Sequence, residues 1–171
     1  VIVAWIFRIP ILIHQQDVDP TLSNILCAPL ASKITVTFQH SIKDFYQGLG
    51  LFYHKASKVV WTGNPVSEKL FHVSHDEAIK YFHLSSGLPV LLIVGGSSGA
   101  SGINRLIGAS LNKLVEFTEV IHGTGPTDKI DFKHQNYHQF HYIERMDLAY
   151  KASMLVVSRA GLSSISELSA L

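Results

Sequence analysis

The run "VLLIV", Val90 to Val94, followed at once by "GGSSGASGIN", constrains this chain more than any other feature. Five consecutive apolar residues, three of them β-branched, make a strand with no face for water. Such a strand needs cover on both sides, as at the centre of a parallel sheet. The glycines and serines behind it suit neither strand nor helix interior, so the chain turns there before an amphipathic run to residue 116. "MLVV", Met154 to Val157, followed by "SRAGLSSISEL", repeats the arrangement.

The rest of the chain alternates in the same way. Spacing predicts the end of a helix over 1–7, stopped by Pro10, then a strand at 11–13. A helix is expected over 21–31, with Leu22, Ile25, Leu26 and Leu30 on one side. Strands follow at 33–38 and 58–63, the latter ended by the turn "NPV". "SHDE", Ser74 to Glu77, is a capping box opening a helix to 84. Next come strand 89–94, helix 102–116, strand 119–122 and a polar stretch from 123 to 138. Strand 139–143, helix 145–152, strand 154–158 and a helix from 163 complete the series. Strict alternation implies right-handed βαβ units, hence an α/β fold with parallel sheets covered on both faces. The pattern restarts after "GNP", which puts a domain seam between 64 and 88. The first element lacks a preceding strand and the last helix leads into none, so both ends read as cut.

Composition removes several function classes. The 171 residues carry a formal charge of +1 without a Lys/Arg run, against a nucleic-acid partner. Cys27 is the single cysteine, so no internal disulfide framework exists and a reducing compartment fits. The apolar stretch 1–13 is broken by Arg8 and Pro10 and falls short of the roughly 20 residues of a membrane span.

Gly95, Gly96 and Gly99 allow two readings. Ligands bind parallel sheets at the carboxyl ends of strands, where a helix N-terminus offers unpaired N–H groups and about half a positive charge. There glycines let the backbone approach a phosphate. The other reading is plain packing of a tight turn. Gly96, Gly99 and Gly102 are spaced G-x-x-G-x-x-G, neither the dinucleotide fingerprint nor the P-loop. A nicotinamide site would also want an acid after the next strand, where "VIHGTG" has none.

The second loop is equally double. Ser164 and Glu167 have capping-box spacing. In the alternative, Glu167 lies in the first helical turn and accepts hydrogen bonds from both vicinal hydroxyls of a ribose, while Ser163 and Ser164 donate to a diphosphate. Two such loops on one sheet suggest a nucleotide-diphosphate cleft.

Three further features carry a bland and a sharp reading. His134, His138 and His141 have spacings of four and three, yet the segment turns into a strand and has no carboxylate nearby in sequence. Solvated loop histidines are the preferred account over a metal site. The aromatic stretch 44–54 reads as a packed loop, or as a contact with a lipid surface. His14 follows a buried strand and reads as a strand-end histidine satisfied by the backbone rather than a general base.

The stretches "ILIHQQDVDPTLSN", "VVWTGNPVS", "LLIVGGSSGASGIN", "YIERMDLAYKASMLVVSRAG" and "SSISEL" occur in the order seen in the bacterial N-acetylglucosaminyltransferases that convert lipid I to lipid II, the MurG family. The chain resembles that family nearly throughout, except about 41–57 and 123–138. Family members are longer, so the resemblance implies a middle fragment of two Rossmann-like domains of GT-B type, both incomplete. Residues 1–66 would be the later part of the acceptor domain and 67–171 the earlier part of the donor domain.

The implied activity is inverting transfer of N-acetylglucosamine from UDP-N-acetylglucosamine to lipid I, an undecaprenyl-linked muramyl pentapeptide, in peptidoglycan synthesis. The fragment alone is expected to be inactive. By motif, Ser97 would face the diphosphate and Ile143 would offer its backbone to the uracil. Leu162, Ser163, Ser164, Ile165, Ser166 and Glu167 would wrap phosphate and ribose. The resemblance implies no metal and no cofactor, because helix N-termini take the charge as UDP leaves. It places the protein peripherally on the cytoplasmic side of the plasma or inner membrane.

Two positions depart from the family pattern. Asp17 stands where an Asn is expected near the donor sugar, and has lost the amide donors. Ser67 stands where an Arg is common near the uracil, and is too short to replace it. The family's usual candidates for the catalytic base precede these residues, so none is assigned. The rival readings are a related glycosyltransferase with another acceptor and a non-catalytic nucleotide-sugar binding module.

Overall fold

The computed structural model describes residues 1–47, 58–84, 87–96, 98–126 and 128–171. The chain forms two compact units, Val1–Pro65 and Val66–Leu171. Each is an α/β unit built on a parallel sheet.

In the first unit, β1 (Leu12–Gln15), β2 (Lys33–Val36) and β3 (Val59–Trp61) lie side by side in that order. α1 (Ile2–Ile6) precedes them, and α2 (Leu22–Cys27) with a 3-10 turn at Ala28–Leu30 links β1 to β2. The helix expected over 21–31 thus changes pitch at Ala28, because Pro29 cannot supply the N–H that an α-helix requires. Thr21 opens α2, its Oγ1 accepting from the Asn24 N–H at 3.3 Å. Ile13, Ile34, Val36 and Val59 join Ala28, Ala31 and Phe45 in one core. α3 (Asp44–Gln47) is short, and most of the aromatic stretch 44–54 lies outside the described residues.

The second unit starts with a 3-10 turn at Glu68–Phe71 and α4 (His75–Tyr81). Ser74 caps α4, its Oγ accepting from the Glu77 N–H at 3.1 Å. Then follow β4 (Val90–Val94), α5 (Ser101–Leu114), β5 (Glu119–Gly123), β6 (Tyr137–Phe140), α6 (Met146–Ala152), β7 (Leu155–Ser158) and α7 (Leu162–Ala170). The four strands are parallel in the order β6-β5-β4-β7.

β4 is buried along its whole length and divides its side chains by parity. Val90, Leu92 and Val94 face a core containing Leu70, Ala78, Phe82, Leu148 and Ala149, from the 3-10 turn, α4 and α6. Leu91 and Ile93 face Ile107, Leu111 and Val115 of α5 and its end. This is why the run shows no polar alternation.

Two expectations are corrected. Strict alternation fails between β5 and β6, where the described residues hold no helix. Ile130 and Phe132 cover that face instead, packed against the α5 core. The strand expected at 139–143 sits at 137–140, because the Tyr137 ring is buried in the same core and the Asn136 side chain donates to the Val115 carbonyl at 3.0 Å.

Candidate functional site

The chain passes through β4, β5 and β6 in one direction, then returns so that β7 pairs with the other edge of β4. The loops leaving β4 and β7 therefore diverge at a topological switch point, the place where open α/β sheets take ligands. These are the two glycine-and-serine loops of the sequence.

In the first loop the glycines are divided between the two roles. A Cβ on Gly95 would fall on the backbone nitrogen of Ala100, and one on Gly99 would fall on the carbonyl oxygen of Thr124. One on Gly125 would lie 2.6 Å from the Gly99 Cα. Gly95 and Gly99 are thus required by close backbone packing, Gly99 also by a φ of +76°. Gly96, at φ +84°, borders the open cavities described below. α5 begins at Ser101, so Gly102 belongs to the helix rather than to the turn. Ser97 lies outside the described residues.

The second loop corrects the capping-box reading. α7 starts at Leu162 with Gly161 as its N-cap, which has no side chain to cap with. Ser164 and Glu167 sit inside the helix, one turn apart. Glu167 Oε2 accepts from the Tyr150 hydroxyl of α6 at 3.0 Å. Ser164 also hydrogen-bonds the Tyr150 oxygen; burial, then Glu167, pushes the phenol up to about 12, while Ser164 acts in the opposite direction. The single hydroxyl proton of Tyr150 goes to Glu167, so Ser164 is the donor to Tyr150.

A cavity of about 360 Å³ is lined by Val94, Gly96, Gly123, Ile143, Tyr150, Ser163, Ser164 and Glu167, among others. Ile143 follows β6 and is buried. Leu162, Ile165 and Ser166 share α7 but do not border this cavity. A neighbouring one of about 380 Å³ is lined by Gly95, Gly96, Arg159, Ala160, Gly161 and Ser164. Arg159 escaped the residue-by-residue sequence reading. Its Nη2 donates to the Gly99 carbonyl at 3.0 Å, bringing a guanidinium to the junction of both loops. The arginine ahead of the glycine in "SRAG" was the available signal. Together these cavities offer a cation, an uncapped helix N-terminus and a carboxylate on one rim, the chemistry that a diphosphate joined to a sugar hydroxyl pair requires.

Behind the first loop lies a buried polar network. Asn104 Nδ2 donates to the Thr124 carbonyl at 2.8 Å and to Asp128 Oδ2 at 2.9 Å, which leaves its Oδ1 facing His122 Nε2 at 3.1 Å. His122 Nε2 therefore carries the proton, and Nδ1 faces the Tyr137 hydroxyl at 3.1 Å, which also lies 3.3 Å from Gln139 Oε1. Burial lowers the imidazole to about 4, so it stays neutral. The Asn104 hydrogen bond, then that of Ser101, holds Asp128 below the usual carboxylate range.

In the histidine-rich segment His134 and His141 are exposed and lie outside the strands, and the loop reading is corrected at His138. His138 lies on β6 with Nε2 3.0 Å from Oε1 of buried Glu119, a carboxylate distant in sequence. His134 Nδ1 accepts from the Asn136 N–H at 3.1 Å, and His141 Nδ1 faces the Gly125 carbonyl at 3.4 Å.

In the first unit, His14 is satisfied by threonine hydroxyls rather than by backbone: Thr35 at 2.9 Å and Thr37 at 3.3 Å. Buried Gln15 organises the loop after β1. Its Nε2 donates to the Asp17 and Asp19 carbonyls at 3.0 and 2.7 Å, while Oε1 accepts from Asn24 Nδ2 at 2.6 Å. The Asp17 side chain is exposed in that loop. Ser67, in the second unit, is exposed at the start of the 3-10 turn.

The switch-point loops and the parallel sheet lie in a segment of known class: residues 90–171 match the glycosyltransferase family 28 C-terminal domain. The two α/β units are of the Rossmann-like kind paired in GT-B enzymes. The chain is 36% identical over 174 residues to the UDP-N-acetylglucosamine--N-acetylmuramyl-(pentapeptide) pyrophosphoryl-undecaprenol N-acetylglucosamine transferase of Clostridium tetani, covering 100% of this chain and 46% of that protein. The same-named protein of Lachnoclostridium phytofermentans is 35% identical over 167 residues, 96% of this chain and 44% of its own length. The crystal structure of Acinetobacter baumannii MurG shares the fold, with a TM-score of 0.55 at 21% identity, over 98% of this chain and 45% of that one. The chain is similar to MurG proteins along its whole length, and spans about half the length of the curated relatives it matches.

Proposed function

We propose that residues 66–171 bind UDP-N-acetylglucosamine at the switch point. On this reading the whole protein transfers N-acetylglucosamine with inversion to lipid I, forming lipid II in peptidoglycan synthesis. The observation that carries the reading is the meeting of Arg159, the α7 N-terminus and Glu167 around two adjoining cavities. The uracil would rest by Ile143, with the ribose hydroxyls on Glu167. The diphosphate would lie against Gly96, Arg159 and the first turn of α7. Ser163, which lines the first cavity, would add a hydroxyl to the phosphate contacts. As UDP leaves, the added negative charge falls on the guanidinium and the helix end, so departure needs no metal.

The acceptor in the relatives' names carries an undecaprenyl chain. We place the protein against the cytoplasmic membrane surface for that reason. Among the described residues no helix is long and apolar enough to cross a membrane.

The test is calorimetric titration of the protein with UDP and with UDP-N-acetylglucosamine. Saturable one-to-one binding that weakens in Glu167→Ala supports the site. Failure to bind either nucleotide overturns it. Transfer is then assayed in the complete protein with lipid I, where formation of a glycolipid other than lipid II would redirect the acceptor assignment.

A further inference from the structure

Tyr150 is placed on α6 and Glu167 on α7, and the phenol is almost fully buried while the carboxylate lies at the cavity wall. The ring packs in the core with Leu148, Ala149 and Ile143, so its position is set by the fold and not by any ligand. From that fixed position the hydroxyl donates to Glu167 Oε2 at 3.0 Å and accepts from Ser164. We propose that Tyr150 is a positioning residue that fixes the Glu167 carboxylate and thereby makes the site select ribonucleotides over 2′-deoxyribonucleotides. The inference rests on the ribose reading of Glu167 given above.

The physical reason is preorganisation. A glutamate side chain has three rotatable bonds, and a free one gives up most of that freedom on gripping two adjacent hydroxyls. Tyr150 restricts it beforehand. The carboxylate has about four lone-pair sites, and the phenol occupies one, which leaves acceptors for both ribose hydroxyls. The phenol stays protonated throughout the physiological range, since burial, then Glu167, pushes it up to about 12. The donor is therefore always present. Removing the 2′-hydroxyl leaves one carboxylate lone pair without its donor, so discrimination depends on how firmly that oxygen is held.

The experiment compares affinities for UDP and 2′-deoxy-UDP in the wild type, Tyr150→Phe and Glu167→Ala. The ratio within each protein cancels any change in folded fraction, so loss of stability alone leaves it unmoved. The wild type is expected to prefer UDP by about tenfold, the scale of one hydrogen bond to a charged group. Y150F should reduce that preference to about threefold or less, and E167A should abolish it. Incorporating 4-aminophenylalanine at position 150 restores an N–H donor on the same ring and should recover the preference. Tyr150 as the positioning residue is overturned if Y150F keeps the wild-type ratio while E167A loses it. Absence of discrimination in the wild type, or its persistence in E167A, overturns both this inference and the ribose reading beneath it.

Discussion

Arg159 reaches across 60 residues of sequence to hydrogen-bond the Gly99 carbonyl at 3.0 Å, tying the loop after β7 to the loop after β4. The pair spans the gap between two adjacent parallel strands whose following helices lie on opposite faces of the sheet. Arg159 is exposed, so its replacement bears on ligand binding far more than on folding. Arg159→Ala is expected to weaken UDP binding by about 10- to 100-fold, the range for hydrogen bonds to a charged group. Its unfolding free energy should change by no more than about 0.5 kcal/mol. Calorimetry and urea denaturation on the same preparation check both. R159K, a point charge without the planar fork, should recover only part of the affinity.

Two glycines in one motif should respond with opposite sign. Gly99→Ala places a methyl group on the Thr124 carbonyl at a φ of +76°, and neither backbone can yield without moving the other. The left-handed conformation alone costs about 1–2 kcal/mol, and the collision adds to it, so a loss of at least about 3 kcal/mol is expected. Gly102→Ala lies within α5 and would meet nothing within 4 Å. It should stabilise by about 0.5–1 kcal/mol. Denaturant midpoints of the two variants decide this.

His122 makes stability pH-dependent in a defined window. Its folded value is about 4 against an unfolded value near 6.5, so the unfolded chain binds the extra proton between those limits. The contribution is fully present above about pH 6.5 and is lost as pH falls toward 4, with a slope of at most about 1.4 kcal/mol per unit for one proton. Urea denaturation at several pH values should show the slope in the wild type and a shallower one in His122→Gln. A wild-type slope of zero or of opposite sign across this window contradicts the assignment.

Ser74 offers a purely local case. Ser74→Ala removes the acceptor for the Glu77 N–H at the start of α4 and should cost about 1 kcal/mol, without altering UDP affinity. Thermal denaturation and nucleotide titration separate the two effects.

Several features were legible before any coordinates. The burial of β4 followed from five apolar residues in a row, the start of α4 from Ser74 and Glu77, and the turns after β4 and β7 from their glycines and serines. Each rests on interactions between residues close along the chain, which periodicity and capping chemistry report directly. The same locality explains two misreadings. Ser164 and Glu167 have the spacing of a capping box, but an i,i+3 pair looks identical one turn inside a helix. What separates the cases is the extended backbone at Gly161, which no residue spacing records. Likewise "HQNYHQFH" shows no strand alternation, since Tyr137 is held by the core and His138 by Glu119, 19 residues away.

The sequence by itself determined the alternating elements and the class of turn between them, because those depend on neighbours within about one helical turn or one strand. Only the tertiary structure decided that β7 pairs with β4, that Arg159 meets Gly99, and that Tyr150 holds Glu167. These are choices among distant partners, settled by which apolar faces bury one another and which buried polar groups must be satisfied, and the covalent order of the chain leaves them open.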